Sequence, residues 1–326
     1  MRLSIVSTLY RSAAHLEEFH RRVSAAASAL TDDFEIILVN DGSPDASLEV
    51  AVSLFHRDPR VRIVDLARNF GHHKAMMTGL AEARGDFVFL IDSDLEEEPE
   101  LLKVFHDTIQ RTGADVVYGV QSERRGGTVE RVGGWLFFTI FNALSDWPIA
   151  QNLVTVRLMT RQYVTALVAH RERETIIAGL WAITGFNQIA WPIQKHSRSK
   201  STYQLGHKIA ILVNSITSFS DKPLVLIFYL GSIIVMVASL AAAYLIVRRL
   251  FFGEYLAGWP SLIVSVWLLG GLTIFCVGII GMYLSKVFLE TKQRPYTIIR
   301  QTYERPVRSD DGAVSSDARD SRPVLR

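Results

Sequence analysis

Asp92-Ser93-Asp94 sets two carboxylates one residue apart, directly after the unbroken apolar run Phe87-Val88-Phe89-Leu90-Ile91. A run this short, apolar at every position, fits a strand buried on both faces. Carboxylates at the carboxyl end of such a strand can hold Mg2+ or Mn2+. These cations take oxygen ligands and are commonly bound through one or two carboxylates together with substrate phosphates. The chemistry indicated is the handling of a phosphorylated substrate, although Asp-Xaa-Asp also caps helices and closes turns.

The elements that must position this pair follow from the pattern around it. From residue 1 to about 120, strand-length apolar runs alternate with segments of helical period, the signature of an α/β domain with a mainly parallel, helix-covered sheet. Strands are expected at 2–7, 34–40, 61–66, 86–91 and 115–120, and helices at 13–30, 46–56, 72–83 and 99–111. In open parallel sheets ligands collect beyond the carboxyl ends of the strands. Polar clusters fall at those ends: Ser7-Thr8-Leu9-Tyr10, Asn40-Asp41-Gly42-Ser43 and Asp92-Ser93-Asp94. Singly, each reads more readily as a turn or a helix cap, the commoner fate of such residues; together they indicate a nucleotide-diphosphate site. Arg68 and Lys74 are the basic residues nearest this cluster in order, suited either to donor phosphate or to solvent. The adjacent His72 and His73 diverge on a strand or a helix, which argues against joint metal ligation and leaves them as lining or surface residues outside the site.

Val39-Asn40-Asp41-Gly42-Ser43-Pro44-Asp45, Leu66-Ala67-Arg68-Asn69-Phe70-Gly71, Asp92-Ser93-Asp94-Leu95 with Pro99-Glu100, and Val116-Val117-Tyr118-Gly119 occur in this order. Over residues 1–295 the chain resembles the family 2 glycosyltransferases of GT-A fold, and within them the polyprenyl-phosphate branch that includes dolichyl-phosphate mannose synthase. The resemblance implies that Asp41 contacts the nucleobase, that Asp92 lies near the nucleotide ribose, and that Asp94 reaches a metal on the diphosphate. Thr8, Tyr10, Gly42, Lys74 and Ser93 complete the expected nucleotide-binding set, with Asp92 beside Asp94 as metal ligand.

Residues 121–134 are glycine-rich and basic, with Arg124, Arg125 and Arg131. The family places a loop here whose arginines bind the acceptor phosphate, a task that suits planar guanidinium forks. Its usual arginine is Gln121 in this chain, so Arg124, Arg125 or Arg131 must supply the contact, with Arg124 and Arg131 also expected to assist transfer. Arg198 lies in a second basic run, residues 195–203, where Thr202 replaces the family's lysine. Val154-Thr155-Val156-Arg157-Leu158 stands where relatives read Gly-Asp-Phe-Arg-Leu, so Thr155 replaces a carboxylate. A hydroxyl acceptor needs a base that threonine cannot supply. A phosphate monoester, with a second pKa near ~6, needs none. The Gln-Xaa-Xaa-Arg-Trp motif of processive polysaccharide synthases is absent.

Composition adds the membrane. Of 326 residues 49% are hydrophobic, yet the formal charge is only +2, which gives no nucleic-acid footprint. A single cysteine, Cys276, excludes an intrachain disulfide. No leader is expected at the amino terminus, where Leu3-Ser4-Ile5-Val6-Ser7 already reads as a strand. Residues 135–144 are apolar and aromatic, suited to a core or an interfacial helix, and 206–222 carry an interfacial helical stripe. Residues 224–247 and 261–284 lack charge and exceed the ~20 residues that cross a bilayer. Flanking Lys and Arg put both termini in the cytoplasm, a multi-pass inner-membrane arrangement. Gly270, Gly271, Gly278 and Gly281 would admit a close helix, from the first span or from a second copy of the chain. The domains expected are a cytoplasmic GT-A unit over 1–205, the interfacial helix, two spans within 223–285, and a cytoplasmic tail over 286–326, disordered from about 305.

The expected activity is metal-dependent inverting transfer of a single sugar from a nucleotide-sugar to polyprenyl (undecaprenyl) phosphate on the cytoplasmic face. Ser7-Thr8-Leu9-Tyr10-Arg11 in place of the family's Pro-Xaa-Tyr-Asn-Glu leaves UDP, dTDP and GDP donors open. The alternatives are transfer to a hydroxyl of a lipid-linked oligosaccharide, with Glu96 or Glu97 as base, and a catalytically silent membrane scaffold.

Overall fold

The computed structural model describes residues 1–121, 153–170, 172, 177–194, 217, 220–252 and 258–305. Strands β1 (Leu3–Leu9), β2 (Phe34–Asn40), β3 (Val61–Leu66), β4 (Phe87–Leu90) and β5 (Val116–Gln121) alternate with helices α1 (Leu16–Ser28), α2 (Ser47–Arg57), α3 (His72–Glu82) and α4 (Leu101–Thr112). These match the expected elements within a few residues. After them come β6 (Leu153–Thr160), α5 (Arg161–Ala169), α6 (Ile177–Ile183), β7 (Gln188–Ile193), α7 (Lys222–Phe252), α8 (Trp259–Thr291) and β8 (Ile299–Tyr303).

One eight-stranded sheet runs β7-β5-β6-β4-β1-β2-β3-β8. The β1–β2, β1–β4 and β2–β3 pairs are parallel, and β6 is antiparallel to both β4 and β5. This is the mixed, mainly parallel GT-A sheet. β1, β2 and β3 are buried at every residue, because helices cover both faces. On one face Leu16, Phe19, Val23 and Ala27 of α1 and Leu102, Phe105 and Ile109 of α4 form helical stripes on the core. On the other, Ala75, Met76 and Leu80 of α3 pack with Tyr163, Val164 and Leu167 of α5.

At the amino edge of the sheet a buried ion cluster joins four strands. Arg62 of β3 donates to Glu35 of β2 at 2.8 Å and to Glu304, just past β8, at 2.8 Å. Glu35 also accepts from Ser4 of β1 and from the Arg84 N–H. Burial pushes the Glu35 carboxyl up, but the hydrogen bonds from Ser4, Arg62 and the Arg84 N–H outweigh it and leave the group below its ordinary value.

β8 was not anticipated by the sequence, where its residues read as tail. It pairs antiparallel with β3, Ile63 opposite Tyr303 and Val64 opposite Thr302. On the way there from α8, Ile298 O accepts the Ala67 N–H, Thr297 Oγ1 lies 2.9 Å from Thr78 Oγ1, and Arg300 donates to Ala67 O. The connecting segment therefore lies against the β3–α3 loop.

Helices α7 and α8 contain the two expected spans and are long and apolar enough to cross a membrane. Their large side chains are uncovered: Phe228 is 69% exposed, Trp267 79% and Ile274 75%. An apolar surface of this extent is stable in lipid rather than in water. A Cβ built on Gly270, Gly271, Gly278 or Gly281 meets nothing within 4 Å among the described residues. Residues 135–144 and most of 206–222 lie outside the described residues.

Arg62→Ala should lower the thermal midpoint of the detergent-solubilised chain by the equivalent of about 3–5 kcal/mol, because Glu35 is left buried without its cation. Glu304→Ala, which removes the more exposed partner, should cost much less in the same melt.

Candidate donor and metal site

The carboxyl ends of β1, β2, β3 and β4 meet at one edge, and their loops are bonded to one another. Asn40, the last residue of β2, donates to Asp65 of β3 at 2.7 Å and accepts the Ser43 N–H. Asp41 follows, 2% exposed. Its Oδ1 accepts the Phe70 N–H at 2.7 Å and its Oδ2 the Gly71 N–H at 3.0 Å. Burial raises the Asp41 carboxyl above its ordinary value, and the two main-chain donors offset only part of that. A nucleobase contact of the kind the resemblance implies would thus be a third hydrogen bond to an engaged, covered carboxylate. Gly42 has φ +58°, and a Cβ there would lie 2.5 Å from Asn69 N. Only glycine allows the β2 loop to seat on the β3–α3 loop in this way.

The β1 end is tied to the same loops. Tyr10 is 47% exposed and projects at the mouth. The guanidinium of Arg11 lies 5.6 Å from its ring, and Arg11 itself adopts φ 57° with its N–H donated to Ser43 Oγ. Asp45 gathers the Ser43 and Ser47 hydroxyls and the Ala13 and Ser47 N–H groups. Burial pushes its carboxyl up, but these hydrogen bonds prevail and hold it at about 2, well below the usual carboxylate range.

Beyond β4, Ser93 is buried, its hydroxyl bonded to Thr8 O at 2.9 Å and lying 2.9 Å from Ser12 Oγ. Ser93 therefore secures the floor of the site and flanks it with two carboxylates. Asp94 is exposed, its Oδ1 accepting the Glu96 N–H in a tight turn, and Leu95 takes φ 59°. Left-handed non-glycine residues cost about 1–2 kcal/mol each, and both examples here border the mouth. Asp92 is 21% exposed at the side chain, with Oδ1 3.4 Å from His72 Nε2. Lys74, in the first turn of α3, points its ammonium at the Tyr296 ring, 6.0 Å from the centroid. Arg68 sits over Phe70.

The structure thus brings Thr8, Tyr10, Asp41, Gly42, Lys74, Asp92, Ser93 and Asp94 to one edge. Arg124, Arg125, Arg131 and Arg198 lie outside the described residues. Sequence reasoning missed His72, set aside because adjacent histidines diverge, and missed Tyr296 and Arg300, which come from beyond the second apolar helix. The signal for His72 was its place as first residue of the helix after Asn69-Phe70-Gly71.

Among the described residues no group of three or more His, Cys, Asp and Glu surrounds one metal position. A carboxylate pair suits Mg2+ or Mn2+ when phosphate and water complete the shell, and the exposed Asp94 with the nearby Asp92 fits that donor set. Opposite them Thr155, half-buried on β6, provides no carboxylate. Two residues on, Arg157 pairs in register with Leu90 and is fully buried over the Trp181 ring. Desolvation lowers the Arg157 guanidinium to about 9, with Tyr163, Tyr118 and the buried Glu97 acting in the opposite sense, so it remains a cation at neutral pH.

Residues 4–168 match the family model described as glycosyl transferase family 2. A Mycobacterium tuberculosis (strain CDC 1551 / Oshkosh) protein named as a glycosyltransferase is 57% identical over 93% of this chain and 89% of its own length. The prophage bactoprenol glucosyl transferase homolog of Escherichia coli (strain K12) is 31% identical over 92% of this chain and 99% of its own. Among solved structures, glucosyl-3-phosphoglycerate synthase from Mycobacterium tuberculosis, in complex with Mn2+, UDP-glucose and phosphoglyceric acid, is 20% identical with a TM-score of 0.47, over 67% of this chain and 79% of that one.

Gly42→Ala should destabilise the chain by at least about 1–2 kcal/mol from the left-handed backbone alone, measurable by thermal unfolding, with the collision at Asn69 adding to it. Because Asp45 is more acidic folded than unfolded, its contribution is complete above a pH of about 4 and lost as pH falls toward 2. Asp45→Asn should flatten that acid limb of the stability profile while lowering stability at neutral pH.

Proposed function

The chain belongs to glycosyltransferase family 2, and from that premise we propose that it transfers one sugar from a nucleotide-sugar to polyprenyl phosphate at a membrane surface. One observation carries the reading: the sheet whose carboxyl edge gathers Asp92 and Asp94 also takes in, as β8, the chain returning from two uncovered apolar helices. Seven residues lie between Thr291 and Ile299, eight Cα–Cα steps that reach at most about 28 Å. A lipid-borne phosphate at the interface is the acceptor this distance favours, in keeping with the bactoprenol named for the Escherichia coli relative.

The reaction is in-line attack of an acceptor phosphate oxygen on the anomeric carbon. The new bond joins sugar to lipid phosphate, the bond to the donor's β-phosphate breaks, and the nucleoside diphosphate leaves with its electron pair. Mg2+ or Mn2+ held by Asp94, with Asp92 adjoining, supplies charge neutralisation to that leaving group when bound. Tyr10 offers an exposed ring at the mouth for the donor, Lys74 a cation at the first turn of α3, and Asp41 and Gly42 fix the loop on which both depend. Arg124, Arg125, Arg131 and Arg198 are the groups proposed to hold the acceptor phosphate. Thr155 is compatible with this acceptor, since a phosphate monoester is already ionised at neutral pH. A hydroxyl acceptor would need a base; of the two candidates Glu97, 1% exposed, is covered from an incoming hydroxyl, which leaves the half-buried Glu96. The flanking Lys and Arg favour a two-span anchor with both termini in the cytoplasm.

The test is transfer of radiolabel from UDP-, dTDP- and GDP-sugars into organic-extractable lipid by purified protein with undecaprenyl phosphate and Mg2+ or Mn2+. Label released by mild acid, abolished by EDTA and reduced at least about 100-fold by Asp94→Ala, is expected. Nucleotide binding without label from any donor would overturn the reading.

A further inference from the structure

His72 opens helix α3 at the centre of a closed circuit of contacts. Its Nδ1 lies 3.0 Å from Thr8 Oγ1 and its Nε2 3.4 Å from Asp92 Oδ1. Thr8 in turn accepts through its carbonyl from Ser93, the covalent neighbour of Asp92. The circuit joins the end of β1, the start of α3 and the loop after β4. Asp92 lies just past β4, one residue after the Ile91 N–H that donates to Val6 O, so among the described residues the ladder stops short of its carboxylate. The imidazole is stiff and rides on a helix whose first turn is anchored by the Asp41 contacts to Phe70 and Gly71. In the tautomer with its ring proton on Nε2, that proton faces the Asp92 carboxylate and Nδ1 accepts from the Thr8 hydroxyl.

We infer that His72 is a positioning residue for donor binding: braced by Thr8, it holds the Asp92 carboxylate in the orientation that receives the donor's cation and diphosphate end. This rests on the donor-site reading above. The His72 side chain is 47% exposed, so truncating it removes little buried packing.

The experiment measures, with the full-length chain in detergent, the affinities of UDP, dTDP and GDP in the presence of Mn2+ by calorimetry, alongside thermal melts. His72→Ala should weaken the preferred nucleotide about 10–100-fold with an unchanged melting point. His72→Gln, whose side-chain amide can donate to Asp92, should recover most of the loss, and Thr8→Val should fall between. Binding by His72→Ala within about two-fold of the parent, while Asp92→Asn binds poorly, overturns the inference and leaves the donor site standing. A loss shared equally by Ala and Gln variants together with a lowered melting point also overturns it, in favour of a purely structural role. If Asp92→Asn itself binds normally, the donor-site reading fails and this inference falls with it.

Discussion

Two main-chain N–H groups, those of Phe70 and Gly71, converge on the carboxylate of Asp41, and most of the site's geometry depends on that convergence. The contact fixes the end of the β3–α3 loop, hence the residue at which α3 begins, hence the place of His72 and Lys74. Gly42 provides the complementary constraint by letting two loop backbones touch where any side chain would separate them. A carboxylate so buried is more costly to ionise than one in water, and the pair of N–H donors is what makes it tolerable. The β2 loop therefore acts on the donor edge chiefly by holding the neighbouring loop in place.

The two edges of the sheet divide the work of stability and chemistry. The amino edge is a compact ion cluster in which Arg62 and Glu35 pair away from solvent and Glu304 closes on Arg62 from the exposed side. The carboxyl edge holds the exposed Asp94, the partly covered Asp92, an exposed tyrosine and two residues in strained left-handed backbone. Parallel topology makes the division unavoidable, since every β1–β4 strand starts at one edge and ends at the other. Strain and unshielded charge at one end are offset by buried pairing and apolar packing at the other.

The first five strands and four helices were legible because strands buried on both faces appear as uninterrupted apolar runs and their helices carry period 3.6. The strand-end clusters were legible for the same reason, as polar breaks at predictable places. β6, β7 and β8 were less so. β7 contains Pro192 and is only partly covered, and β8 is an exposed edge strand whose partner lies more than two hundred residues earlier in the chain. The role of His72 was hidden because it arises from a meeting of three loops, which no local spacing encodes. The same holds for Asp41: its residue type and position were evident, but that its acceptors face the main chain could be known only from the folded backbone.

The position of β8 also orders the events of biogenesis. A ribosome delivers β1 through β7 before either apolar helix, and β8 only after both. Until then the hydrogen-bonding edge of β3 is open, Arg62 lacks one of its carboxylates, and Ala67 lacks its Ile298 carbonyl. Open edges of this kind recruit other chains. Closing the sheet last, with a strand that exists only downstream of the apolar helices, makes completion of the sheet conditional on delivery of those helices, so that a chain cut short before them would also lack a finished β3 edge.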